Sequence, residues 1–406
     1  MPSSPHDSLD SPTPSGTPSA DGEGDGRSSA PPGRAALAGK IRWGLHAGLF
    51  LATATSVFST YYIVSVGHVP HPALEAAEYA AALLCILLCH EFGHYIAARI
   101  HGVDATLPFF IPMPIPPFGT MGAVIQMRGA IRTRRALLDI GAAGPLAGLA
   151  VAVPLYAWGV AHSQLVAVDG TADAMQLGDS LLLRALDRLF GPHVAPGMDI
   201  WLSPVAFAAW AGMFVTMINL IPAGQLDGGH VAYALFGARQ NAIARWVHRS
   251  MLAFFFVILG SSVLPDLRAG APFWHMGRHV NDAIFWLVWF EILAVLGSLA
   301  GRARRRPRAA GAPPLALGTR VFGTLGLVLI AGALRDRSSP FAWATWFAGL
   351  AVLLVMEARW GALGPATDLT DHPETGPEPL GPVRAVVAVV TLAFFVALFM
   401  PTPMSF

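Results

Sequence analysis

His90, Glu91 and His94, in the stretch LLCHEFGHYIAAR, define the chemistry open to this chain. Residues i and i+4 stand on one helix face a turn apart, so two imidazoles can chelate one metal ion while the intervening glutamate faces its bound water. HExxH is a zinc-hydrolase signature, though three fixed letters over five positions arise by chance. Location sharpens it. The motif sits inside an apolar run, where ionisable side chains are costly and call for a compensating partner. A hydrogen-bonded core cluster would explain the histidines, but the glutamate adds a burial cost without helping the packing.

Catalytic zinc takes three protein ligands and keeps a fourth position for water, so a further membrane-depth acid is needed. FVTMINLIPAGQLDGGHVAYALFG offers Asp227 just past a Pro/Gly break. Pro222 and Gly224 would unwind the backbone to turn Asp227 inward, and Gly228-Gly229 would leave room for close approach to metal or substrate. Read alone, LDGG serves equally well as a helix-ending turn. His230 reads as an outer partner, a fourth ligand or a boundary histidine, and stays outside the metal set. Asp139 reads as an interfacial acid or an outer partner of the metal histidines.

The elements that must carry these groups are membrane helices. Of 406 residues 54% are hydrophobic and only 13% charged, about half the charge of a soluble chain, which argues against a cytosolic enzyme. Apolar runs give about nine candidate spans, at 44–66, 77–100, 136–160, 203–223, 249–265, 281–300, 317–335, 341–358 and 383–400. The expected fold is an all-α polytopic membrane protein. A net charge of +1 leaves no electrostatic case for nucleic acid as a partner. Cys85 and Cys89, a turn apart in an apolar run, read as small hydrophobes.

Residues 1–40 are rich in Ser, Pro, Gly and Asp and are expected to form a disordered tail. Basic residues in alternate loops place those loops and the amino terminus on the cytoplasmic side: Arg34, Lys40 and Arg42, then Arg128 to Arg135, Arg239 to Arg249, and Arg302 to Arg308. Arg335 and Arg337 fall on the wrong side of this scheme. The compositional style suggests a bacterial inner membrane.

Two stretches break the helical pattern. Residues 106–128 are apolar but interrupted by proline and end in the β-favouring run 123–127, which suggests a re-entrant hairpin lining a site. Residues 181–190, within the long loop 162–202, read as an amphipathic interfacial helix. The small residues of the third span, Gly141, Gly144 and Gly148 among them, suit tight helix packing. Glu291 is a charge in an apolar span without a nameable partner.

HEFGH, a GTMGAVI hairpin, DIGAAGPLAG and NLIPAGQLDGGH, in that order over about residues 77–236, together resemble the site-2 proteases, which are intramembrane zinc metalloproteases. The resemblance implies one zinc per chain held by His90, His94 and Asp227, with Glu91 as catalytic base. It further implies a transmembrane protein or peptide as substrate, in a lipid bilayer. Asn219 matches the family's asparagine near the site, in a role steadying substrate or oxyanion. With no room for a PDZ-like insert, the chain resembles the PDZ-lacking branch. The expected organisation is the tail 1–40, a metalloprotease core 41–240 and additional carboxy-terminal helices 241–406. Two rivals compete with this reading. A metal-ion transporter would carry ionisable residues at successive depths along several spans, whereas these spans read as nearly bare. An inactive homologue would lack Glu91 or a ligand.

Overall fold

The structure, a computed structural model, describes residues 43–167, 176–303, 315–334, 339–363, 375, 376 and 378–405. The expected disordered tail, Arg304 to Arg308, Arg335 and Arg337 lie outside the described residues.

The chain opens with α1 (Trp43–Ser65) and α2 (Pro72–Ile100). Pro72 begins α2 where a missing N–H costs nothing, and the same device starts three later helices. A hairpin follows, β1 (Phe109–Pro112) antiparallel to β2 (Thr120–Val124). The expected β run at 123–127 is thus shifted: strand pairing begins at Thr120, loosens, and resumes as a bridge between Ala105 and Met127. Gly122, at φ +92°, permits the irregularity, and Thr120 Oγ1 accepts its N–H at 3.0 Å.

Helix α3 (Arg134–Ala161) is capped by Thr133, whose hydroxyl accepts the Ala136 N–H at 3.2 Å. It runs unbroken through Pro145 and Pro154. Beyond it lie β3 (Gln164–Ala167), β4 (Gln176–Leu177), the expected amphipathic helix α4 (Leu181–Phe190) and β5 (Met198–Trp201), which pairs with β3.

The fourth expected span, 203–223, differs in kind. Helix α5 (Pro204–Asn219) stops after 16 residues, the chain turns through 220–226, and a second helix, α6 (Asp227–Phe236), begins at Asp227. Pro222 lacks the N–H that continuation would need. Gly228 and Gly229 do not make room for a metal or substrate. A Cβ on Gly228 would strike the Leu220 carbonyl, and one on Gly229 the carbonyls of Ala223 and Gly224. Their smallness lets the turn fold against its own helix.

A 3₁₀ turn at Gly237–Arg239 leads into α7 (Gln240–Arg268), and a second at Phe273–His279 into α8 (Val280–Ala303). Then come α9 (Leu317–Leu334), α10 (Pro340–Trp360), α11 (Pro382–Leu398) and β6 (Met404–Ser405), which pairs with β4. Among the described residues nine helices therefore match the expected spans, but only seven helical stretches, one of them α6 and α7 together, are long and apolar enough to cross a membrane unaided. The two short ones, α5 and α11, have 16 and 17 residues against the roughly 20 that a span needs. Helix α5 is largely enclosed by α2 and α3, so its interrupted backbone meets protein rather than lipid.

The main core joins Tyr79, Leu83 and Ile86 of α2, Ala152 and Tyr156 of α3, and Trp210, Phe214 and Met217 of α5. The spans are less bare than the sequence suggested. Arg320 of α9 donates from Nη2 to Glu357 Oε2 of α10 at 2.9 Å, both residues being buried. The same oxygen accepts the Ala362 N–H at 2.6 Å. Glu291 lies within electrostatic reach of this pair but bonds to neither partner.

Candidate metal centre

Two separate elements bring the predicted donors together. His90 and His94 project from one face of α2, their rings 5.0 Å apart between centroids and their Nε2 atoms 3.2 Å apart. Asp227, the first residue of α6, places Oδ2 at 3.4 Å from His90 Nε2 and 3.2 Å from His94 Nε2. Bonds of about 2.0–2.1 Å in a tetrahedron set donors about 3.3 Å apart, so the triangle has the edge lengths that zinc requires. The donor chemistry agrees. His94 Nδ1–H donates to the Ile140 carbonyl at 2.7 Å, which in a neutral ring leaves the Nε2 lone pair facing the other two acceptors. Three lone-pair-bearing atoms converging at that distance suit a shared cation. No other group of three His, Cys, Asp or Glu donors comes together among the described residues.

Glu91 is buried, 7% exposed, and within electrostatic reach of His94 and Asp227. Asn219 ends α5 with its Nδ2 at 3.3 Å from His90 Nε2. All five residues singled out from sequence therefore gather in one place. The broken helix achieves this by letting α5 end at Asn219 and α6 restart at Asp227.

Several supporting groups were not legible in advance. The guanidinium of Arg134 donates to the Ala234 carbonyl at 2.7 and 3.0 Å and to that of Leu235 at 3.1 Å. It satisfies the carbonyl end of α6 and so holds the helix that carries Asp227. Asp139 does not reach the triangle. Its carboxylate accepts from His101 Nε2 at 2.8 Å and from Arg384 at 2.8 to 3.0 Å. A small-residue pattern was visible in α3, but that Gly144 lies against His94 needed the fold.

The hairpin packs beside these helices. Ser56 donates to the Gly119 carbonyl at 2.6 Å, and Tyr79 reaches the carbonyls of Pro117 and Phe118, each at 3.4 Å. Ile125 and Met127, at its base, pack with Ala97, Ala98 and Ile140. The exposed side chains of Met121 and Val124 mark an open face of β2.

Comparison with known proteins agrees with this geometry. Residues 78–260 match the profile of peptidase family M50. The chain is 34% identical over 155 residues to the probable zinc metalloprotease EGY2, chloroplastic, of Arabidopsis thaliana, covering 38% of this chain and 28% of that protein. It is 34% identical over 180 residues to the Arabidopsis thaliana probable zinc metalloprotease EGY1, chloroplastic, covering 43% and 32%. To EGY3 of Oryza sativa subsp. japonica, also named a probable chloroplastic zinc metalloprotease, it is 28% identical over 248 residues, covering 55% and 40%. The match to the first two relatives spans only about a third of their length. No solved structure matches the chain. Residues 78–260, a little under half of the chain, are thus similar to peptidase family M50, the family of the site-2 proteases.

Proposed function

We propose that this chain is an intramembrane zinc endopeptidase that hydrolyses peptide bonds in or near the transmembrane segments of other membrane proteins. The observation that carries the reading is the 3.2 to 3.4 Å triangle of His90 Nε2, His94 Nε2 and Asp227 Oδ2, to which we assign one zinc. His90, His94 and Asp227 would hold the zinc, which would lower the pKa of a bound water toward about 7 and polarise a carbonyl. Glu91 takes the proton of the attacking water and hands it to the leaving amine. Asn219 offers a donor at the same edge, where it steadies the substrate carbonyl as charge develops.

A helical substrate hides its carbonyls in internal hydrogen bonds, so cleavage needs an extended segment. Strand β2 lies in a two-stranded sheet and can accept such a segment by strand addition. The core we assign to 41–240, with the amino terminus and the metal side of the spans facing the cytoplasm of a bacterial inner membrane. A transport role is disfavoured because the buried charge of Arg320 is paired with Glu357, and the described residues hold a single cluster of donors.

The test is cleavage of a model transmembrane substrate in detergent by the parent and by Glu91→Gln, with zinc measured in both. The reading expects retained zinc and lost cleavage. Equal turnover removes Glu91 from the mechanism.

A further inference from the structure

Arg384 opens α11, far beyond the residues matched to the family. Its guanidinium grips Asp139, Nε lying 3.0 Å from each carboxylate oxygen and Nη2 2.8 Å from Oδ2. His101, the residue that caps the end of α2, holds Oδ2 from another side at 2.8 Å. One carboxylate on α3 thus ties the end of α2 to the start of α11. The next residue along α3 is Ile140, whose carbonyl accepts the His94 Nδ1–H at 2.7 Å. Helix α11 is seated accordingly. Leu380 just before it and Ala388 within it pack with Leu137 and Leu138 of α3 and Val231 of α6. Those two helices carry Ile140 and Asp227.

We propose that Arg384 is a positioning residue for the metal centre, acting through Asp139 and the Ile140 carbonyl on the ring plane and tautomer of His94. This rests on the reading of His94 as a zinc ligand. The chain of contacts is short and directional: guanidinium to carboxylate, then one peptide along α3 to the carbonyl that orients the imidazole. A carbonyl bonded to a ligating imidazole, as that of Ile140 is to His94, fixes the ring's orientation and raises its basicity. The side chains of Arg384 and Asp139 are 39% and 26% exposed, and ion pairs so placed add little to global stability. Their fork geometry is directional, which a diffuse surface charge would not require. The last helix therefore belongs to the catalytic unit rather than standing beside it.

The experiment uses the full chain, purified in detergent and loaded with zinc. The rate of zinc loss to excess chelator is followed alongside the thermal unfolding midpoint of the metal-free protein. Arg384→Ala and Asp139→Asn are each expected to lose zinc about tenfold faster than the parent, as for other outer partners of metal ligands. The double variant should be no faster than either single one, because both act through one contact. Arg384→Lys should recover part of the loss, since it keeps the charge without the fork. Unchanged midpoints complete the expected result.

Zinc loss at the parental rate in both single variants overturns the proposal. So does additivity in the double variant, or faster loss that merely follows a lowered midpoint. If Arg384→Ala fails to fold, Arg384→Lys and Asp139→Asn carry the same test. A parent chain that binds no stoichiometric zinc overturns the metal reading itself, and that is seen before any variant is made.

Discussion

Gly144 of α3 lies against the imidazole of His94, so close that a Cβ there would overlap Nε2, Cδ2 and Cε1 of the ring. The small-residue face of α3 is therefore the wall of the metal centre as well as a packing surface. Gly148 plays the same part for His90 more loosely, with a Cβ falling 3.2 Å from Nδ1 and 3.3 Å from the histidine's own Cβ.

Gly144→Ala should accordingly displace the metal-facing nitrogen of His94. Zinc affinity is expected to fall by more than about tenfold, and cleavage with it, comparable to the loss of an outer ligand partner. Gly148→Ala should cost less, because its neighbours need give by only a few tenths of an ångström. Zinc titration of both variants checks the order.

The hairpin should matter for substrate and not for metal. Ala123 sits opposite Phe110 and Val124 opposite Phe109. Proline at either position removes a backbone donor from β2, so strand addition of a substrate should fail. Ala123→Pro and Val124→Pro are expected to abolish cleavage of a transmembrane substrate while zinc content stays at the parental level. Normal turnover in these variants would reject the docking role of β2.

How much of this was legible in the chain depends on distance along it. His90 and His94 share a helix face four residues apart, and the apolar runs announce their helices, so local periodicity sufficed. Asp227 was signalled by the Pro/Gly break, but the sequence could not say that α6 restarts there, since Gly228 and Gly229 look the same in a turn and at a helix start. Arg384 and Asp139 are separated by 245 residues, and an arginine at the edge of an apolar run reads as a topology marker. Arg320 was hidden within an apolar run, and its partner Glu357 lies one helix later. Such pairings have no local period to betray them.

That hidden pair carries a stability prediction. Removing one member of a buried ion pair leaves the other charge uncompensated, at a cost of about 3–5 kcal/mol. Arg320→Met should therefore lower the thermal midpoint sharply, and Arg320→Met combined with Glu357→Gln should recover most of the loss. Zinc bound per folded chain should not change in either, because α9 and α10 lie away from the donor triangle. Unfolding followed in detergent, with metal content measured in parallel, checks both statements.

The central claim is that two imidazoles of α2 and the carboxylate opening α6 share one ion. It is tested most directly by zinc per chain in the purified parent and in His90→Ala, His94→Ala and Asp227→Asn. We expect one equivalent in the parent and a large loss in each single variant, with thermal midpoints of the metal-free chains little changed. Full parental zinc in all three variants would contradict the account.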